Sequence, residues 1–290
     1  MKGRWFVVGL GRAGLTLAVA LDRAGVLHGA STRSAHRARG ATPTLRCGVQ
    51  QTSLPDLGEL RAGDAVLIAV PDAVMPRLAK ALSIPRGVSL VHCSGVHGAD
   101  VLPRLLGERR GACHPLMSLG GPADCKRLVG AFFAVDGTGP GVDAARALAS
   151  HCGGVPTAVG PDARGAYHAA AVLAGNGVFG LLHAARTLCD ASGIGGGALY
   201  QGLSDLAAAS AVRTGSEPIA SVATGPVARD DASTLTQHLQ TLATLRPELV
   251  TLYLETQRSL LSALEAADAG NVPRAAHHAL REPDTGPQHE

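Results

Sequence analysis

The chain has few of the residues that nucleic-acid and membrane partners require. Aromatic residues make up only 3% of the 290 residues, so a stacking platform for single-stranded nucleic acid is not expected. The formal net charge is only +3 and the chain contains no basic run, which excludes nucleic acid and anionic membranes as expected partners. The most apolar late stretch, Ala169 to Leu182, contains Asn176 and three glycines and is too short for a membrane span.

Paired cysteines are also missing. The six cysteines form no C-x-x-C pair, so they are expected to be reduced, buried thiols in a cytoplasmic protein, and no metal site is expected. Apolar residues make up 46% of the chain and charged residues 17%, proportions typical of a globular protein. At this length the chain forms one large domain or two ordinary ones.

What the chain does contain is a glycine-rich turn near its N-terminus. Trp5–Val8 predicts a buried strand, three glycines follow at G-x-G-x-x-G spacing, and Leu15–Ala24 predicts a helix. This order is the context of a dinucleotide-binding site, in which the free N–H groups of the helix start face phosphates. A glycine-rich turn without a ligand is the alternative. The expected cofactor contacts in this turn are Gly9, Leu10, Gly11, Arg12, Ala13 and Gly14.

Short apolar runs alternate with helical segments as far as residue 160, which predicts βαβ units and a mostly parallel, doubly wound sheet. The predicted strands are Trp5–Val8, Val26–Ala30, Ala65–Val70, Ser89–His92, Ala131–Val135 and Val155–Val159. Later residues predict helices alone, at about Asp162–Ser192, Ala198–Thr214, Ala232–Leu245 and Pro247–Ala267. The sequence therefore predicts an α/β dinucleotide-binding domain over residues 1–160, an all-helical domain over 161–270 and a disordered tail over 271–290.

The end of the second predicted strand favours NADP over NAD. NAD sites usually place a carboxylate there, whereas this chain has Ser31, Thr32, Arg33 and Ser34, with Arg37 one turn later. Hydroxyl groups and guanidinium groups bind a 2′-phosphate well. A solvated loop with incidental arginines is the alternative. The expected contacts to the adenosine half of the cofactor are Thr32, Arg33, Ser34 and Arg37.

Five further strings resemble a widespread bacterial family. They are Ala69-Val70-Pro71-Asp72, His92-Cys93-Ser94-Gly95, His114-Pro115-Leu116, Tyr167-His168-Ala169-Ala170 with Asn176, and Thr224-Gly225-Pro226-Val227-Ala228-Arg229. The family joins a Rossmann-like NADP-binding domain to a helical domain of unknown function similar to the C-terminal half of 6-phosphogluconate dehydrogenase. Its relatives include ketopantoate reductases, β-hydroxyacid dehydrogenases, pyrroline-carboxylate reductases and deazaflavin-dependent NADP reductases. The resemblance covers about residues 3–265.

The chain departs from this family at a few positions. Cys93 stands where the family usually has Thr, Gly175 replaces the usual Ser, and Asp230 replaces the Gly of an Arg-Gly-Asp string. In the hydroxyacid dehydrogenases and ketopantoate reductases a Lys lies four residues before the helix Asn. Here Asn176 is preceded at that distance by Val172, so the usual catalytic lysine is absent.

Reduction by hydride transfer also needs a proton donor and groups that hold the substrate. Val70 and His92 end predicted strands, and Pro71 and Ser94 come just after them. All four are expected to face the nicotinamide, because ligands of doubly wound sheets lie beyond the carboxyl ends of the strands. His168, two helical turns before Asn176, and His114, expected on a loop before Pro115, are rival acids. Either histidine could instead be structural. The candidate catalytic residues are therefore His114, His168 and Asn176.

The expected substrate contacts are Ser94, Asn176, Thr224 and Arg229. Asn176 could instead join two helices, and Arg229 could pair with a nearby Asp. The combined interpretation is an NADP(H)-dependent oxidoreductase that reduces a small carbonyl or imine acid, ketopantoate-like or pyrroline-carboxylate-like, between two domains. A non-catalytic NADP(H) sensor or scaffold is the alternative. The long, apolar first helix of the second domain also predicts a homodimer.

Overall fold

The computed structural model describes residues 3–267 and 273–281. The chain divides into two compact units, Met1–Gly175 and Asn176–Glu290. The division falls inside a 31-residue helix, Pro161–Ala191, rather than at the predicted boundary near residue 160. The reason is that the first turns of this helix pack with the sheet of the first unit.

The first unit is built on an eight-stranded sheet with the order β3-β2-β1-β4-β5-β6-β7-β8. Neighbouring strands are parallel except β6 and β7, which are antiparallel. The strands are β1 Trp5–Val8, β2 Leu27–Ser31, β3 Gly48–Gln50, β4 Ala65–Ile68, β5 Ser89–His92, β6 Arg110–Pro115, β7 Phe132–Gly137 and β8 Val155–Ala158. The predicted α/β class and mostly parallel sheet are confirmed.

Helices fill the connections of the first unit and make up the regular structure of the second. The bounds are α1 Arg12–Arg23, α2 Ala35–Ala41, α3 Met75–Ala81, α4 Gly139–His151, α5 Pro161–Ala191, α6 Gly197–Thr214, α7 Ile219–Val222, α8 Ala232–Leu245, α9 Val250–Ala267 and α10 Arg274–Arg281. Short 3₁₀ segments at Ala99–Val101, Arg104–Leu106, Pro122–Leu128 and Pro247–Leu249 complete the described elements.

The sheet has an apolar layer on each face, because side chains of a strand alternate between its two sides. Trp5 and Val7 of β1 join one buried cluster, which includes Leu17 and Leu21 of α1. Phe6 and Val8 join the other, which includes Met75 of α3. Both faces are covered, so β1 and β4 are continuous apolar runs, as is typical of central parallel strands.

The strand order reverses beside β1. The chain runs from β1 to β2 and β3 on one side and then crosses to β4 on the other. The ends of β1 and β4 therefore diverge into loops that leave the sheet in opposite directions. Ligands of doubly wound sheets bind in the crevice that such a reversal creates, so the fold itself singles out the residues that follow β1 and β4.

Two parts of the prediction were wrong. His114 lies within β6 rather than on a loop, since Ala112–Pro115 pair with β7 in antiparallel register. Part of the predicted disordered tail is α10, whose Ala276 and Leu280 are buried with Leu235 of α8. These two positions are four residues apart and share one face of the helix. Residues 271, 272 and 282–290 of that tail lie outside the described residues.

Helices α5 and α6 bury little of their apolar surface. Among the described residues of α5 only Arg164 is buried, and α6 has no buried residue. The two helices are joined by Arg186, which donates to Ser204 Oγ at 3.1 Å and stacks on Tyr200. Within the described chain α5 is the one helix long and apolar enough to cross a membrane by length and composition alone. Its exposed large side chains include Leu173 and Phe179.

All six cysteines are free thiols. Cys113, Cys125 and Cys152 are buried in the first unit, whereas Cys47, Cys93 and Cys189 are half-buried. Burial raises the pKa of the Cys93 and Cys152 thiols to about 12. These thiols are therefore protonated and unreactive at neutral pH.

Candidate functional site

The turn after β1 requires glycine at two positions, because a Cβ atom there would clash with the backbone. Gly9 has a φ of +101°, and a Cβ there would lie 2.5 Å from the carbonyl oxygen of Ala69. A Cβ on Gly14 would overlap the carbonyl oxygen of Gly9. Helix α1 therefore starts in direct contact with the turn. No side chain caps its first N–H groups and no acidic residue lies in its first turn, which leaves an anion-binding helix start.

A cleft of about 620 Å³ lies at the reversal point of the sheet. Eleven of the fourteen residues predicted to bind the cofactor line it, namely Gly9, Leu10, Gly11, Arg12, Ala13, Thr32, Arg33, Ser34, Arg37, Val70 and Pro71. Its far end is lined by Cys93, His114, Pro115, Met117 and Leu119. The structure thus brings the glycine turn and His114 to the same cleft.

The end of β2 supplies hydroxyl groups and positive charge to the cleft. Ser31 is fully buried, and its Oγ has no hydrogen-bond partner within the described chain. The guanidinium groups of Arg33 and Arg37 are exposed, and the Nη1 atom of Arg37 lies 3.6 Å from where a Gly11 Cβ would be. The described residues that line the cleft include no carboxylate. An unpartnered buried hydroxyl beside two exposed cations fits a phosphorylated ribose.

At the other end of the cleft His114 is paired with a tyrosine from α5. Its Nδ1 atom and the Tyr167 phenol oxygen lie 2.7 Å apart and share a hydrogen bond. The two rings meet edge to face, with centroids 5.6 Å apart and planes at 83°. This pairing joins a strand of the sheet to the second turn of α5, and it fixes the orientation of the imidazole.

His168 of α5 also lies close to His114. The two imidazole centroids are 6.0 Å apart, and a Cβ on Gly95 would lie 3.0 Å from His114 Nε2 and would overlap His168 Nδ1. Gly95 therefore leaves the space that both rings occupy. The Nδ1 atom of His168 is buried without a hydrogen-bond partner among the described residues, so it is an unsatisfied polar atom beside the cleft residue His114.

Arg164 fixes the start of α5 to the sheet. Its side chain is 1% exposed and donates to three backbone carbonyl groups, those of Val159 at 3.3 Å, Ser94 at 3.2 Å and Ala134 at 3.3 Å. These acceptors belong to three different segments of the first unit, namely the residues after β8, the residues after β5, and β7 itself. Because Tyr167 and His168 follow one turn later, the arginine also places both rings.

The surroundings keep His114 uncharged at neutral pH. The pKa of His114 is lowered to about 4, chiefly by burial and then by the nearby His168 and the positive charge of Arg164, against a smaller opposing effect of Asp72. Burial raises the pKa of the Tyr167 phenol, while the charge of Arg164 acts in the opposite direction. Both rings are therefore neutral around pH 7.

Three predicted cofactor contacts do not line the cleft. Gly14 is required for packing instead. His92 is fully buried, its Nε2 atom lies 2.9 Å from the Gly98 carbonyl oxygen, and its Nδ1 accepts from the Ser94 N–H at 3.2 Å. Both ring nitrogens are thus used by the backbone, so the prediction for His92 is corrected to a structural role. The Ser94 hydroxyl accepts from the His97 N–H at 3.2 Å.

The remaining predicted contacts belong to the second unit. Asn176 begins that unit and is exposed on α5, and Thr224 and Arg229 are exposed in the turn before α8. Their role as substrate contacts stays a prediction from the sequence. The two residues after Arg229 are structural: Asp230 accepts from the Ala276 N–H of α10 and Asp231 from the Thr234 N–H of α8.

The sequence interpretation assigned no role in the site to Tyr167, Arg164 or Gly95, whereas it did name the Ser31 hydroxyl among the groups suited to a 2′-phosphate. Tyr167 stands next to His168 in one of the five strings, but helical spacing cannot show which residue of the sheet a side chain meets. A signal for Arg164 was present, since it is a lone arginine one turn before Tyr167-His168 in an Ala-rich segment. Gly95 follows His92-Cys93-Ser94 directly, which is a typical place for close approach.

Two domain families match the chain in succession. A Rossmann-like domain matches residues 4–117, and a domain of unknown function, DUF2520, matches residues 131–260. No curated protein is significantly similar to the chain in sequence.

Several solved structures are similar in fold over most of this chain. Protein TM1727 from Thermotoga maritima is 21% identical, with a TM-score of 0.69 over 91% of this chain and 99% of that one. A candidate NADP oxidoreductase from Bacteroides fragilis is 19% identical, with a TM-score of 0.67 over 89% and 98%. An imine reductase from Pseudomonas sp. is 18% identical, with a TM-score of 0.63 over 97% and 100%. At these identities the likeness establishes the fold, in which a segment similar to a Rossmann-like domain precedes a segment similar to the DUF2520 domain.

Proposed function

We propose that the protein is an NADP(H)-dependent oxidoreductase that reduces a small carbonyl or imine compound. The observation that carries the proposal is the cleft at the reversal point, which joins a helix start and two exposed arginines at one end to His114 at the other. The similar structures from Bacteroides fragilis and Pseudomonas sp. support a nicotinamide cofactor and a reductive reaction. A substrate that carries a carboxylate is the form that the predicted contacts favour.

The first unit supplies a contact for each part of the cofactor. The N–H groups at the start of α1 would hold the pyrophosphate. Ser31, Arg33 and Arg37 would hold the ribose 2′-phosphate, which NADP has and NAD lacks. Cys93 and His114 would lie beside the nicotinamide, which supplies the hydride when bound. The protein residues then have to orient the acceptor and deliver a proton.

The choice between NADP and NAD is tested by binding. Arg33→Ala and Arg37→Ala should each weaken NADPH binding roughly 10- to 100-fold, because a hydrogen bond to a charged group contributes about 1.5–3 kcal/mol. NADH binding should not change. Arg39→Ala is the matched control, because Arg39 is exposed on the same helix without lining the cleft. Equal affinity of the wild type for NADPH and NADH would overturn the preference.

Turnover separates a reductase from the alternative, a non-catalytic NADP(H) sensor. NADPH oxidation is followed in the presence of 2-oxo acids, semialdehydes and cyclic imines, and we expect steady turnover with at least one class. Tight NADPH binding without turnover on any of them would favour the sensor. The missing lysine at Val172 is the feature that motivates this alternative.

We also propose that a second copy of the chain covers α5 and α6. Large apolar side chains are exposed along both helices, among them Leu173, Phe179 and Leu206 at 76%, 63% and 65%. Gly175 and Gly180 face open space, which leaves room for another helix. A membrane is the less suitable occupant, since α5 also carries Arg186, which is bonded to Ser204 of α6. Sedimentation at micromolar concentration should show a dimer.

A further inference from the structure

We propose that Tyr167 is a positioning residue that supplies the reaction proton through the neutral imidazole of His114. The inference rests on the proposed reductase function and concerns which atoms deliver the proton. His114 lines the cleft, whereas Tyr167 lies behind it and is connected to it by the 2.7 Å hydrogen bond at Nδ1. The two side chains thus form a chain from the phenol, through the ring, to Nε2.

The hydrogen bonds of the pair set the direction of this chain. In the described structure the Tyr167 hydroxyl has one hydrogen-bond partner, His114 Nδ1. A phenol is a strong donor and a neutral imidazole nitrogen is a strong acceptor, so the favoured arrangement has Tyr167 O–H donating to Nδ1. A neutral imidazole carries its single proton on the other nitrogen, Nε2. That proton is the one available to an acceptor in the cleft.

The charge distribution supports the same arrangement. Burial has the largest effect on both pKa values and disfavours both ionised forms, while the guanidinium of Arg164 adds to that effect at His114 and opposes it at Tyr167. A single buried positive charge thus opposes one ionised form and assists the other. The charged or titratable groups that act on the pair come from several elements, namely Arg164 and His168 of α5, Asp72 after β4, and His92 and Cys113 of β5 and β6.

The proton transfer balances without an ionised imidazole. Reduction of a C=O or C=N bond consumes one hydride, which the nicotinamide cofactor supplies, and one proton. His114 gives its Nε2 proton to the oxygen or nitrogen of that bond, and in the same step its Nδ1 takes the phenol proton of Tyr167. The phenolate then takes a proton from water, and the ring returns to its starting form after a proton shift between its nitrogens. A neutral imidazole can act as an electrophile in this way.

The chain contains a matched control for this pair. In the second unit His238 Nδ1 and the Tyr253 phenol oxygen lie 2.8 Å apart, with ring centroids 5.8 Å apart and planes at 87°. Tyr253→Phe removes the same hydroxyl from the same geometry, in a residue that does not line the cleft. Tyr167→Phe is the test variant, since it keeps the ring and removes the proton source.

The first measurement needs no turnover. Side-chain ¹⁵N NMR of the cofactor-free protein, with His114 assigned from a His114→Gln variant, should show a neutral ring protonated at Nε2 between pH 5.5 and 8. Tyr167→Phe should shift the Nδ1 resonance, and Tyr253→Phe should leave His114 unchanged. A ring protonated at Nδ1, or an imidazolium at pH 7, would overturn the arrangement.

The second measurement uses NADPH oxidation. Tyr167→Phe should lower kcat by roughly 10²- to 10⁴-fold, the usual contribution of a positioned acid, with the NADPH dissociation constant unchanged. Its residual activity should rise toward low pH, because an imidazolium at His114 is then the remaining acid, whereas the wild-type profile is flat between pH 6 and 8. A variant with the wild-type kcat and pH profile sinks the proposal.

Failure of the two proposals can be told apart. A wild-type chain that binds NADPH but reduces no acceptor removes the reductase and with it the catalytic role of the pair, while the NMR result still decides how the pair is built. A wild-type chain that turns over substrate, with a Tyr167→Phe variant that behaves like Tyr253→Phe, removes the relay alone.

Discussion

At the scale of single residues, His114 and Tyr167 show how two neutral side chains can form a site. They are 53 positions apart in the sequence, and neither is charged at neutral pH. What holds them is Arg164, whose buried charge is satisfied by three carbonyl oxygens rather than by a carboxylate. Because these acceptors are neutral, the positive charge of the arginine is not cancelled by them, and its field acts on the rings one turn away.

Two depressed histidine pKa values make stability depend on pH. Burial holds the pKa of both His92 and His114 at about 4, below the ordinary value of 6.5. Between these values the unfolded chain binds protons that the folded chain does not, so the free energy of unfolding rises with pH. The contribution of these two histidines to the free energy of unfolding is therefore fully present above about pH 6.5 and is lost as pH falls toward 4. In this range the unfolded chain binds up to two protons more than the folded chain, and that difference sets the slope of the free energy with pH.

Trp5 provides the measurement. It is the single tryptophan of the chain and is 2% exposed in β1, so its fluorescence reports unfolding of the first unit in urea. Between pH 5 and 6 the free energy of unfolding of the His114→Gln variant should rise less steeply with pH than that of the wild type, by the equivalent of about one proton. An unchanged slope would mean that His114 is not held neutral by the fold.

At the scale of elements, the start of α1 depends on the absence of a single methyl group. Gly14→Ala places a Cβ against the Gly9 carbonyl oxygen and 2.9 Å from the Ala69 side chain, so α1 has to move away from the turn. We expect a loss of roughly 1–3 kcal/mol in the free energy of unfolding and weaker NADPH binding, measured by Trp5 fluorescence and by titration.

Gly40→Ala is the matched control for that substitution. Gly40 also lies in a helix, α2, and a Cβ there meets open space. Alanine should stabilise this helix by up to about 1 kcal/mol, because glycine is the poorer helix former, and NADPH binding should not change. If both variants lost stability equally, close packing at Gly14 would not be the cause.

Elements with a strong local pattern could be predicted from the sequence. β1 and β5 begin and end where the apolar runs predicted, and α8 matches its predicted bounds. β6 could not be predicted in the same way, because Arg110-Gly-Ala-Cys-His-Pro has no alternation and contains proline and glycine. Its strand form comes from pairing with β7, a contact between distant segments.

The residues of the site also fall into two groups, those that a local sequence pattern predicts and those that contacts between distant segments bring together. The glycine turn and the arginines after β2 are local patterns, and the structure places them in one cleft. The partners of His114 are set by tertiary packing, since Tyr167 and Arg164 lie on α5, the last helix of the first unit in sequence. The prediction for His92 failed for the same reason, because burial and its two backbone partners are invisible in the sequence.

At the scale of the whole molecule, the exposed apolar faces of α5 and α6 predict how assembly can be broken. Leu206→Glu places a charge on α6, where burial against a second copy would leave it unpaired at high cost. We expect sedimentation to show the 29.4 kDa monomer at concentrations where the wild type is a dimer.

Leu105→Glu is the control for that charge. Leu105 is 88% exposed in the first unit and lies in the short 3₁₀ segment Arg104–Leu106, so its substitution should leave sedimentation unchanged. A wild-type chain that sediments as a monomer, or a Leu206→Glu variant that remains dimeric, would contradict the proposed second copy.

The buried cysteine thiols can report when the folded protein opens, because they react with an alkylating reagent only once they are exposed. Cys113, Cys125 and Cys152 are 0%, 4% and 4% exposed, so an alkylating reagent reaches them only when the first unit opens, and Cys189 on α5 belongs to the other unit. Mass spectrometry of the alkylated peptides can therefore time local and global opening separately. The protein needs no introduced label, because its cysteines already lie at graded depths in the fold.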